Sequence, residues 1–486
     1  MAEPYVLAAP LISVVLAFVT RRIVASLAAG VVVAAIVGAG GVSDGLRLLA
    51  GVTWGNLVDR DNLLLTAFST AVAVLVAHMG RSGGTRALVG ALLPLARGPR
   101  SAQLSMAGAG GLVFFDDYAS CLVVGTTMGP VADRAGVSRA KLAAWVDAMA
   151  APIASIAPVS TWIGFQLGLL ATALPVGMGA MDLFLAMMPW RLYTFGLLAV
   201  LLGSAIFGRD FPAMAAMERA TERRTTVDAS GPPGRWELAA WPLLTLGGGG
   251  LGLLLLSGAM TSPSTSPVDW LREADSAAAL FGAAMAALGV AALTAWRGGV
   301  PRGTMGAAAT AGAATVAEAL VILHLAWAMS DVLAHAGAAE IAANALRGEL
   351  STWALPLSAF GVATFTSLGT GSSWFTMGTL LPVALGVSGA LAPGEALFAT
   401  ATAAAVVEGA LVGDHLSPVS DTTVLSALSC DVDVWTHART QLAYGATAAT
   451  LAAIGFGVGG WVGAVGSAAI VIAGGTAAIA LQPRSS

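Results

Sequence analysis

Carboxylates and hydroxyls are concentrated in one apolar region late in the chain. The segment 409–423, GALVGDHLSPVSDTT, lies between two apolar runs. Its polar members include Asp414, His415, Ser417, Ser420, Asp421 and Thr422. Pro418 has no backbone N–H and disfavours helix in the residue before it, so the backbone is expected to unwind there. Unwound carbonyls beside carboxylates and hydroxyls form a hard-oxygen environment that suits a small cation such as sodium.

A second group of acids and hydroxyls occurs in the first half of the chain. Its members are Asp116, Asp117, Asp147, Ser160 and Thr161. Pro152 and Pro158 bracket a turn between Asp147 and the two hydroxyls. An ionisable side chain at the centre of a bilayer costs at least about 2.5 to 3.5 kcal/mol and persists mainly where it faces a cavity or a partner. We therefore predict that Asp147 and Asp421, both deep in apolar sequence, bind the cation.

Other polar residues are expected at helix ends or at the membrane interface, and one of them, Glu408, has a further candidate role in transport. Asp133 stands close to Arg139 and is interpreted as a helix-end charge. Glu318 is also expected near a helix end, and His437 lies in an amphipathic stretch, CDVDVWTHARTQ, that is expected at the membrane interface. Glu408 is close enough to the second cluster to serve as a backup proton carrier.

The composition identifies the elements that must position these residues. The chain has 486 residues, of which 57% are hydrophobic, with 23 Lys and Arg and 27 Asp and Glu. A soluble chain of this length would carry about 120 charged residues, so an ordinary soluble enzyme is excluded. A net charge of −4 without a basic cluster argues against a nucleic-acid partner. The two cysteines, Cys121 and Cys430, have no metal-ligand spacing and are interpreted as packing residues.

Several apolar runs are too short to cross about 30 Å of hydrocarbon, since each spanning helix needs about 20 residues. Such runs predict re-entrant hairpins or helices broken at mid-depth. Irregular backbone persists at that depth only where it is buried in protein or lines a wet cavity. We therefore predict an all-α polytopic membrane protein with roughly twelve to fourteen spans at most, whose short, interrupted runs carry out transport.

A polar linker at 209–237 divides the chain into membrane halves 1–208 and 238–486. It contains five arginines and a Pro-Pro-Gly breaker, so the positive-inside rule places it in the cytoplasm, where a passive tether is its simplest role. Within each half we define one polar signature region, at 101–174 and at 369–430.

The two signature regions share an internal order. VGTTMGPVA is followed by PVST in the first, and MGTLLPVA is followed by PVSD in the second. FFDD stands upstream of the first series and GTGSSW upstream of the second. This order predicts two inverted repeats, whose meeting place is the usual transport site in such carriers.

The segments FFDDYASCLVVGTTMGPVADRAGVSRAKLAAWVDAMAAPIASIAPVSTW and GDHLSPVSDTTVLSA resemble the two signature regions of the NhaC family of sodium/proton antiporters. SGGTRA and LHLAWAMSDV are similar to further family segments, so the resemblance covers nearly the whole chain. It implies the ion transporter superfamily fold, with paired re-entrant hairpins, a scaffold part and a homodimer. The ion-handling residues that it implies are Asp117, Asp147, Asp414, His415, Ser417, Ser420, Asp421 and Thr422, with Ser160, Thr161, Ser372 and Ser373 at hairpin tips.

The function expected from these features is secondary exchange of sodium for protons across the cytoplasmic membrane. No resident cofactor is expected, because sodium is the transported ion. A coupled carrier of a small organic or amino acid is the alternative, although no arginine stands inside either cluster of acids and hydroxyls, where a carboxylate substrate would favour one. An intramembrane enzyme would need a nucleophile and a base, for which Asp414 and His415 are the only candidate pair. A channel would need a continuous pore, which paired hairpins disfavour.

Overall fold

The computed structural model describes residues 4–91, 93–175, 177–221, 235–346 and 353–484, and these residues are predominantly helical. The helices of the first half are α1 (Ala8–Thr20), α2 (Ile23–Gly38), α3 (Val42–Val58), α4 (Arg60–Arg81), α5 (Gly84–Gly90), α6 (Pro99–Leu112), α7 (Asp117–Ala135), α8 (Arg139–Ala148), α9 (Ala151–Ile156), α10 (Thr161–Leu170), α11 (Ala180–Ala186) and α12 (Leu192–Phe207). Short 3-10 helices lie at Pro4–Leu7, Leu93–Leu95, Ala171–Ala173 and Met188–Trp190.

The described residues of the linker and of the second half are predominantly helical as well. Their helices are α13 (Pro212–Ala220), α14 (Glu237–Thr261), α15 (Pro267–Arg272), α16 (Ser276–Arg297), α17 (Arg302–His335), α18 (Ala338–Leu346), α19 (Ala354–Thr370), α20 (Ser373–Leu391), α21 (Ala396–Leu416), α22 (Asp421–Ser429) and α23 (Val434–Ala480). Helix α23 turns at Gly463, whose φ of 67° is readily adopted by glycine. Of the predicted linker, α13 and the residues flanking it are described, and residues 222–234 lie outside the described residues.

Seven of the described helices are long and apolar enough to cross a membrane, and eight spans result if the bent pair within 139–173 counts as one. Four shorter apolar helices accompany them. The all-α polytopic architecture predicted from composition is therefore confirmed.

The first hairpin consists of α6 and α7, with its tip at 113–116. Its two ends lie on the side of the molecule that carries the linker. Arg100, at the start of α6, lies beside Gly208 at the end of α12. Beyond α7, the backbone N–H of Ser138 donates to Oε1 of Glu218 in the linker helix at 2.8 Å. The hairpin thus enters and leaves on the linker side.

The second hairpin consists of α19 and α20, with its tip at 371–372, and it opens on the opposite side. Trp353, just before α19, stacks against Trp190, which precedes α12 at the end remote from the linker. Trp353 also packs edge-on against Phe398 of α21, which follows α20 after four residues. Opposite openings of the two hairpins agree with the predicted inverted order of the repeats.

Each hairpin is followed by a broken helix. The first break, 157–160, separates α9 from α10, and the helical segments Arg139–Ile156 and Thr161–Ala173 on its two sides are bent by 48°. The second break, 417–420, separates α21 from α22. Pro158 and Pro418 stand in these breaks, as the sequence predicts. Ser160 and Thr161 accordingly lie at a helix break rather than at a hairpin tip, because the tip of the first hairpin is formed by the earlier FFDD segment.

Glycines allow the second hairpin to pack closely on the second broken helix. A Cβ atom at Gly409 would lie 2.4 Å from the carbonyl oxygen of Phe360, and one at Gly413 would lie 2.3 Å from the backbone nitrogen of Leu368. The spacing of four residues places both glycines on one face of α21, and small residues at this spacing are typical of close helix contacts in membranes. This packing fixes α21 directly against α19.

Candidate functional site

The hairpin tips meet the helix breaks at the centre of the molecule. The backbone N–H of Thr161 donates to the carbonyl oxygen of Phe115 at 2.9 Å, which joins the first break to the first tip. Gly371, at the second tip, lies against the carbonyl group of Val419 in the second break. The two tips and the two breaks therefore form two matched contacts, each between one tip and one break.

A cavity of about 500 Å³ lies between these contacts. Its polar and aromatic lining residues include Arg21, Asp116, Asp117, Tyr118, Thr161, Glu318, Ser372, Trp374 and Asp421. Both signature regions contribute to it, so five of the predicted site residues are brought together: Asp116, Asp117, Thr161, Ser372 and Asp421.

The first hairpin supplies two buried acids to this cavity. Asp116 is the residue before α7, and its Oδ1 accepts the backbone N–H of Ala119 at 2.7 Å. Oδ2 of Asp117 accepts the indole N–H of Trp162 at 3.0 Å. Negative charge is stabilised at a helix N-terminus, which accounts for carboxylates at this buried end of α7. The indole contact also ties the first tip to α10.

Asp421 begins α22 and brings a carboxylate from the second half. Its Oδ2 accepts the phenol O–H of Tyr118 at 3.3 Å. The pair joins residues that are 303 positions apart in the chain. Sequence reasoning missed Tyr118, although it directly follows the two acids on the same helix.

Two further charged residues reach the cavity from outside the signatures. Glu318 lines it from the middle of α17, so the expected position at a helix end was wrong. Arg21 has a φ of 57° and donates from Nη1 to the carbonyl oxygen of Gly369 at 3.0 Å. The signatures themselves contain no cavity arginine, but the turn between α1 and α2 provides one. Among the lining residues, four acids thus face a single basic residue.

Asp414 lies just beneath the second tip and is buried. Its Oδ2 accepts the hydroxyl of Ser373 at 2.9 Å, and its Oδ1 accepts the hydroxyl of Ser420 at 2.5 Å. Ser420 is also 3.1 Å from the hydroxyl oxygen of Thr422. The hydroxyl of Ser417 instead donates to the carbonyl oxygen of Leu368 at 2.9 Å. These contacts connect the second tip to the second break.

Asp147 lies in a different buried cluster and does not line the cavity. Its Oδ2 accepts bonds from Thr423 at 3.3 Å, from Nε2 of His437 at 3.2 Å and from Gln441 at 3.0 Å. His437 is fully buried within the protein. Its spacing of four residues from Gln441 was the signal for a shared polar face on α23.

His415 belongs to the same cluster as Asp147. Its Nε2 lies 4.0 Å from Oδ2 of Asp147, and its Nδ1 lies 2.5 Å from the phenol oxygen of Tyr193. The backbone carbonyl of His415 accepts the amide of Gln441 at 2.6 Å. The structure therefore places the two predicted cation ligands, Asp147 and Asp421, in adjacent but separate surroundings.

Asp133 and the two cysteines have structural contacts away from the cavity. Asp133 forms paired hydrogen bonds of 2.9 Å with Arg139, as expected of a helix-end charge. Cys121 and Cys430 are free and buried, in agreement with a packing role. Across the described residues, no three His, Cys, Asp or Glu side chains form a group that could hold a metal ion.

The family model for the Na+/H+ antiporter family matches residues 153–461. An uncharacterized protein of Haemophilus influenzae is 28% identical over 93% of this chain and 90% of that protein. A malate-2H(+)/Na(+)-lactate antiporter of Bacillus subtilis is 37% identical, over 20% of this chain and 21% of that protein. Among solved structures, the Alcanivorax borkumensis YdaH transporter has a TM-score of 0.60 at 18% identity and covers 86% of this chain and 90% of that one. The structural likeness shows a shared fold.

Proposed function

The chain belongs to the Na+/H+ antiporter family, and we propose that this secondary antiporter exchanges sodium for protons across the cytoplasmic membrane. The observation that carries the proposal is the cavity shared by Asp116, Asp117 and Asp421, which lies between two helix breaks and two hairpin tips. Acidic residues exceed basic ones in its lining, and hydroxyls of Thr161 and Ser372 add neutral oxygens. Such a set of ligands suits a small hard cation.

We propose that Asp421 holds either a proton or a sodium ion, so that the two occupants exclude each other. Sodium binding then releases a proton, and this exclusion couples the two fluxes. Asp147 is proposed as a second carboxylate with the same alternation. The first turn of α22 links the two, since Asp421 faces the cavity while Thr423 donates to Asp147.

The surroundings of the carrier are part of the proposal. We place the linker in the cytoplasm because Arg209, Arg219 and Arg235 follow the positive-inside rule. We also propose that the protein forms a homodimer in the bacterial inner membrane. It is proposed to have no resident cofactor, because sodium is the transported ion.

A second candidate function is coupled transport of a small organic acid. Arg21 at the cavity wall favours it, because a guanidinium group pairs well with a carboxylate. The cavity is also within the size range of small-molecule sites, about 300 to 1,000 Å³. The malate-lactate exchange named for the Bacillus subtilis relative belongs to this class.

The experiment that separates these functions uses the purified protein in proteoliposomes that contain a pH-sensitive dye. Sodium added outside should drive protons out and make the interior alkaline, whether or not an organic acid is present. An absence of any sodium-driven pH change, together with uptake of labelled lactate or malate, would reject sodium/proton exchange in favour of the second candidate.

A further inference from the structure

Arg191 is fully buried at the start of α12 and does not line the cavity. A guanidinium group withdrawn from water is costly unless hydrogen bonds and an opposite charge compensate it. The contacts of the Arg191 side chain therefore show which groups compensate the cost of burying its charge.

The guanidinium group bridges the first break. Nη2 of Arg191 donates to the carbonyl oxygen of Ser155 at 3.0 Å and to Oε1 of Gln166 at 2.7 Å. Gln166 in turn donates from Nε2 to the same carbonyl oxygen at 2.9 Å. Ser155 is in α9 and Gln166 is in α10, so the triangle joins the two parts of the broken helix across residues 157–160.

The end of α9 explains why a cation is placed there. The last carbonyl groups of a helix have no partner within the helix and carry partial negative charge. Ser155 belongs to this last turn, and its surroundings are buried. Arg191 supplies both the hydrogen bond and the positive charge that this end of α9 requires.

The same arginine is paired with the second broken helix. Its Nη1 lies 3.6 Å from Oε1 of Glu408, which is fully buried in α21. The carboxylate of Glu408 also accepts the backbone N–H of Thr194 at 2.8 Å and its hydroxyl at 3.2 Å. Both oxygens of Glu408 are thus held in place by α12.

We propose that Arg191 and Glu408 form a positioning strut that holds the first break at a set distance from α21. The strut orients the start of α10, where Thr161 lines the cavity and Trp162 holds Asp117. Glu408 is then a fixed counter-charge rather than a carrier of protons. The effect that we expect on sodium affinity rests on the proposed sodium/proton exchange, whereas the strut itself does not depend on it.

The test compares R191M, E408M and the double variant R191M/E408M. Each single variant leaves a buried unpaired charge and should lower the melting temperature, whereas the double variant removes both charges and should recover most of the loss. The folded double variant should still exchange sodium for protons at saturating sodium, with apparent sodium affinity weakened about tenfold. The control pair D133N/R139Q, at a helix end, should leave sodium affinity unchanged.

A second readout does not depend on transport. A T161C reporter should react with a soluble maleimide at a different rate in the double variant, because the start of α10 has moved. An unchanged sodium affinity and an unchanged reporter rate in the folded double variant would overturn the proposal. Loss of all coupled exchange in folded E408M and in the double variant would overturn it too, since Glu408 would then carry protons. An absence of sodium-driven proton movement in the wild-type protein would reject the proposed exchange. The reaction rate of the T161C reporter would still test the strut in that case.

Discussion

The phenol O–H of Tyr118 donates to Oδ2 of Asp421 at 3.3 Å, and this bond joins the first hairpin to the second broken helix. Both residues line the central cavity. The position of α7 would therefore affect a sodium ion bound to Asp421 through a single side chain, that of Tyr118. The two halves of the carrier thus communicate at the same carboxylate that we propose exchanges its occupants.

Y118F should weaken apparent sodium affinity about fivefold while exchange persists, because one hydrogen bond of about 1 kcal/mol is lost. The measurement is the initial rate of sodium-driven proton movement across a range of sodium concentrations. Y5F is the matched control, since Tyr5 is 69% exposed and does not line the cavity. Equal sodium affinities for wild type and Y118F would show that the bond does not contribute to the site.

D421N should abolish coupled exchange, because asparagine keeps the size and one carbonyl oxygen but removes the charge that a proton and sodium both neutralise. D44N provides the control, as Asp44 lies on the surface and pairs with Arg47. Proteoliposomes with folded, monodisperse variants supply the measurement. Exchange at wild-type rate in D421N would remove this carboxylate from the mechanism.

S372A should weaken apparent sodium affinity several-fold more than it lowers the maximal rate, because Ser372 contributes a neutral oxygen to the cavity. Both Ser372 and Ser160 also cap a helix, since Ser372 accepts the backbone N–H of Phe375 and Ser160 accepts those of Trp162 and Ile163. S372A and S160A should therefore each also lower stability, by about 1 kcal/mol. Complete loss of turnover at saturating sodium in folded S372A would contradict a ligand role.

G371A should lower both the melting temperature and the transport rate. The φ of 69° at this position is strained for alanine, and the added Cβ would lie 3.0 Å from the carbonyl oxygen of Val419. G394A separates the two effects, because Gly394 has a φ of 83° and no atom near the added Cβ. If G371A and G394A lowered the melting temperature and the transport rate equally, the contact between the second tip and the second break would not contribute to transport.

The sequence by itself determined the membrane class, the two signature regions and the positions of the breaks. These features are local: an apolar majority cannot form a soluble surface, and Pro158 and Pro418 interrupt helices wherever those helices lie. Polar residues beside the interruptions indicated a site because uncompensated charge is costly in hydrocarbon. Asp116, Asp117 and Asp421 were found in this way.

The tertiary structure alone decided which of these residues share a cavity. Arg21 meets Gly369 across 348 positions, and no local pattern predicts such a contact. Asp147 and Asp421 have similar sequence surroundings, yet helix packing places one among histidine and glutamine side chains and the other at the cavity wall. Sequence spacing specifies which face of a helix a residue occupies, whereas the element opposite that face depends on how all the helices pack together.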